Sequence, residues 1–329
     1  MAAPVRCVVL RLLRDCTRKV NVFSTPQAPK TIYPSSGMVC RCYSDDSHGK
    51  NTHFGFETVP EEEKAERVYK VFESVAQKYD VMNDAMSLGV HRLWKDMLLH
   101  IMNPLPGTRL LDTAGGTGDI SMRFLDYTRT QAEKQQRRTI RSQQTLSWQD
   151  IANGSQTPNG EQELQESTAV VCDINKEMLK VGKDKAEKMS YGSGLSWVVG
   201  DAEELPFADN QFDVYTIAFG IRNVTHIEQA LDEALRVLKP GGRFMCLEFS
   251  KMSNPLLSSL YDAYSFQLIP VLGEVIAGDW KSYQYLVESI RRFPDQETFK
   301  GMIEDAGFFR VQYFNLTGGV VAIHSGFKL

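Results

Sequence analysis

The chain lacks several things that would have named a function class at once. No stretch approaches the roughly 18 unbroken apolar residues of a spanning helix. The longest apolar patch, Phe266 to Ala277, is interrupted by Pro270, Gly273 and Glu274. There is no Cys-x-x-Cys pair and no histidine cluster at ligand spacing, so a structural zinc site and a disulfide framework are excluded, and no metal is expected. Beyond residue 44 only Cys172 and Cys246 remain, both inside apolar runs, which reads as two buried core thiols. A basic surplus is also missing from the body. The net charge is −4, but residues 1–44 hold seven Lys or Arg against one acid, Asp15. The remaining 285 residues therefore carry −10, a poor basis for nucleic-acid binding.

The basic leader has its own logic. Arg6, Arg11, Arg14 and Arg18 fall near one another on a helix, with Val8, Val9, Leu12 and Leu13 between them. Arg-rich, acid-poor and serine-containing, residues 1–44 read as a mitochondrial presequence, with Arg41-Cys42-Tyr43-Ser44 resembling a processing site.

After a polar linker, a helix is expected from Pro60, with Glu61 to Glu63 in its first turn and Val68, Val71, Phe72 and Val75 on one face. Leu93, Trp94, Met97, Leu98 and Ile101 mark a second helix, which Asn103-Pro104 ends. From residue 108 strands alternate with helices. Apolar runs at 109–113, 168–174, 195–200, 212–219 and 243–249 enclose helical patterns at 119–127, 175–190 and 225–238. The last helix shows Thr225 and Glu228 at capping-box spacing. This rhythm gives an α/β fold with a mostly parallel sheet. A helix over Asp295 to Ala306 then precedes two strand-like runs, Phe308 to Leu316 and Gly319 to His324, expected to form an antiparallel hairpin near a sheet edge. Residues 129–167, rich in Gln, Ser and Asn, read as a mobile loop insertion. The expected organisation is a presequence at 1–44, a linker with lid helices at 45–107, and a catalytic domain at 108–329. That domain carries the insertion 129–167 and a substrate-side helical insertion at 254–292.

The stretch Leu110-Leu111-Asp112-Thr113-Ala114-Gly115-Gly116-Thr117-Gly118-Asp119 is a strand–loop–helix junction whose amides face a ligand above the sheet. A dinucleotide loop needs a third glycine where Ser121 stands, and a P-loop needs Lys-Ser/Thr where Asp119 stands. Neither phosphate pattern fits. The S-adenosylmethionine pattern fits, with Asp112, Gly116, Thr117 and Gly118 in place and Ala114 replacing a glycine. Asp173 ends the second strand, where a carboxylate grips ribose hydroxyls. Asp201-Ala202 ends the third, where adenine is held. These seven residues are the candidate cofactor set.

Tyr79-Asp80-Val81-Met82-Asn83, continuing to Ser87, His91 and Trp94, and Arg236-Val237-Leu238-Lys239-Pro240-Gly241-Gly242, continuing to Glu248 and Ser250, resemble the ubiquinone/menaquinone-biosynthesis C-methyltransferases. The segments 114–119, 219–223 and 315–326 extend the likeness over roughly 55–329, and the long insertion is the main departure. The resemblance implies a class I methyltransferase fold, Rossmann-like with helices on both faces and a terminal antiparallel hairpin. It implies methyl transfer from S-adenosylmethionine to a ring carbon of 2-methoxy-6-polyprenyl-1,4-benzoquinol. It also implies a matrix-side complex of ubiquinone-synthesis proteins at the inner membrane, peripheral membrane contact, and a homodimer as one arrangement. The fourth strand's end faces the transferred methyl in this fold, which makes Arg222 the candidate to stabilise phenolate charge and Asn223 the candidate to orient the hydroxyl. Arginine cannot serve as a free base. His91 is a second candidate base, or a structural histidine. Leu256, Leu257, Leu260, Phe266, Leu268 and neighbours are candidates for a prenyl wall. An NAD-dependent oxidoreductase, a methyltransferase of another acceptor, and a non-catalytic assembly subunit stand as rivals.

Overall fold

The computed structural model describes residues 51–144, 166–192, 194–252, 264, 271 and 280–329. The presequence reading of 1–44, the part of the insertion at 145–165, and the prenyl-wall candidates between Leu256 and Val275 other than Tyr264 and Val271 lie outside the described residues.

A short hairpin comes first, β1 (Asn51–Phe54) paired antiparallel with β2 (Glu57–Pro60). Its turn needs Gly55 at φ +58, where a Cβ would strike Glu288. Three helices follow: α1 (Glu61–Val75), α2 (Tyr79–Ser87) and α3 (Val90–Met102). Pro60 and three acids open α1, as its dipole favours. Asn103 ends α3 in the left-handed region at φ +46.

The sheet is built from β3 (Arg109–Thr113), β4 (Thr168–Asp173), β5 (Leu195–Val199), β6 (Phe212–Ala218), β7 (Leu238–Phe249), β8 (Phe309–Leu316) and β9 (Val321–Phe327). The spatial order is β5-β4-β3-β6-β7-β9-β8. The first five strands run parallel; β9 is antiparallel to both β7 and β8. The expected hairpin is therefore present, with β8 at the edge. Helices α4 (Asp119–Gln144), α5 (Lys176–Lys188), α6 (Ile227–Val237), α7 (Trp280–Arg292) and α8 (Gln296–Asp305) complete the described elements.

Both faces of the central strands are buried, which is why these strands read as unbroken apolar runs rather than alternating ones. Leu111, Tyr215, Ile217 and Phe244 pack with Leu231, Ala234, Phe299 and Ile303 on one face. Leu110, Val214, Met245 and Ile323 pack with Leu98 and Phe124 on the other. Chain connections reverse direction at β3, which has β4 on one side and β6 on the other. That reversal opens a crevice at the strands' carboxyl ends, the usual ligand position in such sheets.

Two expectations are corrected. Helix α4 runs to Gln144, so residues 129–144 are helix and not loop. Its distal turns are Gln, Lys, Arg and Glu, good helix formers that bury no face, and so they leave no apolar period to read. The Thr225–Glu228 box does not cap α6. The helix starts one residue later with His226 at the N-cap and no side-chain cap bond. The carboxylate of Glu203 instead accepts from the amides of Thr225 at 2.6 Å and His226 at 3.1 Å.

Candidate active site

The glycine loop sits at the crevice, between β3 and α4. Ala114, Gly116 and Gly118 all have positive φ, at 50°, 54° and 73°. A side chain at Gly118 would meet the Trp197 ring at 2.6 Å, and one at Gly115 would meet Val171 at 2.7 Å. The loop thus lies flat against β4 and β5, and its small residues are required by that approach. Ala114 holds a left-handed conformation that costs a non-glycine residue about 1 kcal/mol, strain of the kind that collects at sites.

Each candidate acid has a distinct position. Asp112 is fully buried beneath the loop. Its Oδ2 accepts from Ser121 at 2.9 Å and its Oδ1 from Thr216 at 2.8 Å. Burial pushes its carboxyl up to about 6, with the two hydroxyls acting against the rise. Asp112 therefore fastens β3, β6 and α4 together under the loop. Asp173 accepts from the Gly116 amide at 2.9 Å and the Asn175 amide at 2.8 Å, which ties the end of β4 to the loop. Burial also raises Asp173 to about 6. Asp201 accepts from the Glu203 amide at 3.0 Å, and Ala202 beside it is buried.

These groups converge. One cavity is bordered by Asp112, Gly116, Thr117, Asp173, Asp201, Ala202 and Asn223. Gly118 stays behind the loop, against Trp197. Helix α1 roofs the cavity with Ala65, Val68, Tyr69 and Phe72. Its first turn is latched to the loop after β5: His226 Nδ1 lies 2.7 Å from Glu203 and Nε2 lies 3.2 Å from Glu61. Buried Lys64 of the same helix donates to the Val224 carbonyl at 2.9 Å.

A second cavity, of about 300 Å³, adjoins the first. Its walls are mainly apolar: Val71, Val75, Met82, Trp94, Phe249, Tyr283 and Leu286. Phe72, Tyr79, Lys95 and Phe219 border both cavities. Phe219 holds φ +58 at the end of β6 and packs on Phe249 and Trp94, with ring centroids at 5.0 and 6.2 Å.

Arg222 faces this second cavity, while Asn223 faces the first. Arg222 Nη1 donates to Glu248 at 3.0 and 3.2 Å and also to the Phe219 carbonyl; its Nε reaches Ser289 at 3.3 Å. The pair is 4% and 1% exposed, so it is a buried ion pair in an apolar wall. Burial raises the Glu248 carboxyl, and the guanidinium opposes that rise. Asn223 Oδ1 accepts from Tyr285 at 3.0 Å. The phenol of Tyr285 is pushed up to about 12 by burial, and its ring stacks on Phe54 of the first hairpin at 4.1 Å. His91 is largely buried and bonds Asp84 at 2.8 Å, which joins α3 to α2; burial lowers its pKa. That placement favours the structural reading, although the ring also borders the second cavity.

Sequence reasoning missed Lys95, Tyr285 and Glu203 as site residues, and noted Phe219 and Glu248 only as parts of motifs. The acidic run Asp201 to Glu204 could have flagged Glu203. The others carry no local mark.

A glycine loop at a sheet reversal, carboxylates at the ends of β4 and β5 and a terminal antiparallel pair together define a class I methyltransferase fold. The ubiE/COQ5 methyltransferase family model matches residues 60–328, and the chain belongs to that family. It is 72% identical over 329 residues to the mitochondrial 2-methoxy-6-polyprenyl-1,4-benzoquinol methylase of Danio rerio, covering 100% of both chains. It is 68% identical over 300 residues to the Homo sapiens protein of the same name, covering 91% of each, and 63% identical to that of Mus musculus, covering 100% of each. The chain is a methyltransferase that uses S-adenosylmethionine. The first cavity fits that cofactor: its small-residue loop leaves room for close backbone approach, and its carboxylates suit a ligand bearing hydroxyls, an amine and a sulfonium.

Proposed function

We propose that this chain transfers the methyl group of S-adenosylmethionine to a ring carbon of 2-methoxy-6-polyprenyl-1,4-benzoquinol, giving 5-methoxy-2-methyl-3-polyprenyl-1,4-benzoquinol in ubiquinone biosynthesis. The carrying observation is the shared wall between an acid-lined cavity and an apolar one, with Phe219 and Tyr79 on the seam. The relatives named for this reaction support the acceptor's identity.

When bound, S-adenosylmethionine supplies an electrophilic methyl group. The chain's residues align and polarise. Asp173 accepts from the ribose hydroxyls, Asp201 and Ala202 engage the adenine, and Gly116, Thr117 and Gly118 shape the loop at the amino-acid end. Asp112 acts by holding that loop in place. The apolar cavity takes the quinol ring and excludes water, so charge on the ring oxygen interacts strongly with its surroundings. Arg222 stabilises the developing phenolate, which pushes electron density onto the ortho carbon. Glu248 holds the guanidinium in position. Asn223, its carbonyl oxygen occupied by Tyr285, meets a hydroxyl or water as a donor. As the bond from methyl to ring carbon forms, the methyl's bond to sulfur breaks and leaves a neutral thioether; the ring carbon then passes its proton to a water molecule beside Asn223, which restores aromaticity.

For location, the basic leader and the relatives' names support the mitochondrion. We assign the chain to the matrix face of the inner membrane as a peripheral protein, with residues 1–44 as its presequence. Among the described residues no helix is long and apolar enough to cross a membrane. Other ubiquinone-synthesis proteins and a second copy of the chain are its proposed partners. In the test, the full chain receives methyl-labelled S-adenosylmethionine and a reduced short-chain 2-methoxy-6-prenyl-benzoquinol. Label on the ring carbon supports the proposal. Bound cofactor without ring label under reducing conditions contradicts it.

A further inference from the structure

The cofactor cavity is bordered by five carboxylates: Asp112, Asp119, Asp173, Asp201 and Glu203. Among the described residues lining it, Lys95 is the one cation. Its side chain is 8% exposed, and Nζ donates to Asp119 Oδ2 at 2.8 Å. An ammonium has three donors. Among the described residues Asp119 is its one hydrogen-bond partner. Asp119 is itself shared, because Arg123 Nε reaches its Oδ1 at 3.2 Å and Arg123 also pairs with Asp96. Burial disfavours the Asp119 anion, but Lys95 and Arg123 outweigh it and hold the carboxyl at about 2. Asp119 is therefore charged at neutral pH, whereas both oxygens of Asp112 are already engaged inside the protein.

The methyl donor ends in a free amino acid, with an ammonium and a carboxylate on one carbon. A carboxylate brought among five others in a partly enclosed cavity is repelled unless a cation lies beside it. We propose that Lys95 binds the donor's α-carboxylate and that Asp119 accepts from its α-ammonium, so one buried ion pair reads the zwitterionic end of the cofactor. This rests on the cofactor assignment above. Three observations favour it over service to the acceptor's oxygen. Lys95 is anchored on the residue that follows the glycine loop. The cavity has no second cation among its described lining residues. The acceptor cavity already has Arg222.

The test is calorimetric titration of the full chain with S-adenosylmethionine and with its decarboxylated form, which keeps the sulfonium and the amine. Wild type should prefer the carboxylated ligand by about tenfold to a hundredfold, the span of one charge-assisted contact. Lys95→Met should erase that preference by weakening S-adenosylmethionine alone, and Lys95→Arg should retain part of it. Equal binding of the two ligands by wild type overturns the proposal, and this arm needs no altered protein. So does a Lys95→Met loss of the same factor for both ligands, which would make the lysine a wall of the pocket. Unchanged affinities with lower turnover overturn it too, and reassign Lys95 to the quinol. Wild type that binds neither ligand would instead overturn the cofactor assignment.

Discussion

The two cavities are built on opposite plans. The cofactor cavity is made from the carboxyl ends of β3, β4, β5 and β6, and the carboxylates of Asp173 and Asp201 there accept from backbone amides of the adjoining loops. The acceptor cavity is made from side chains of α1, α2, α3 and α7, gathered around one buried ion pair and one strained phenylalanine. The first is rigid backbone with charges attached. The second is packed side chains with room for an apolar guest. A sheet reversal provides the first wherever this topology forms, while the second depends on helices placed over it. One fold can therefore keep its cofactor while its acceptor changes.

The largest effect that would break this division is at Asp173. Asp173→Ala should weaken S-adenosylmethionine binding by about a hundredfold or more while the acceptor cavity keeps its shape. Calorimetry for the cofactor and fluorescence titration with a quinol analogue would separate the two. Loss of both together would show that the cavities are not independent.

Next comes the buried pair. Arg222→Met leaves Glu248 uncompensated and should cost about 3–5 kcal/mol of stability. It should also lower kcat by about a hundredfold to a thousandfold. Adding Glu248→Gln should restore most of the stability and none of the rate. A double variant that recovers turnover would remove Arg222 from the chemistry.

A smaller, one-sided effect is expected from filling the apolar cavity. Leu286→Trp should raise KM for the quinol about tenfold and change the cofactor Kd by less than about twofold, with packing strain of about 1–3 kcal/mol. A shift in both constants would blur the boundary drawn at Phe219.

A last effect, on stability and not on binding, concerns the charge buried under the loop. Burial pushes the Asp112 carboxyl up to about 6 in the fold, against 3.8 as a free group. Its raised value means that ionisation works against folding. The favourable state is fully present below about 3.8 and is lost as pH rises through about 6. Asn at this position keeps both partners, because the hydroxyls of Ser121 and Thr216 can reverse their roles. Asp112→Asn should therefore gain on wild type between about pH 4 and 6, by about 3 kcal/mol at neutral pH. Thermal melts across that range would show it, and parallel curves would contradict it.

The difference in construction also explains what the sequence disclosed. Asp112, the glycine loop, Asp173 and Asp201 each sit within a single strand–loop–helix unit, so short-range pattern reveals them. Lys95, Tyr285 and Glu248 acquire their roles from residues 24, 62 and 26 positions away, and no local period encodes that. Arg222 was legible as a cation at a strand end, but its buried partner was not. The hairpin at Asn51–Pro60 was missed because four-residue strands in a polar stretch have too few positions to show alternation. The helix beyond residue 128 was missed because amphipathic pattern reports burial, and that segment buries almost nothing.

The most direct measurement is a crystal structure of the full chain with S-adenosylhomocysteine and a short-chain 2-methoxy-6-prenyl-benzoquinol. The expected result has the ring in the 300 Å³ cavity, its accepting carbon at the Phe219–Tyr79 seam facing the sulfur, and a ring oxygen beside Arg222. A ring bound elsewhere, or turned with its accepting carbon away from the seam, would contradict the two-cavity account.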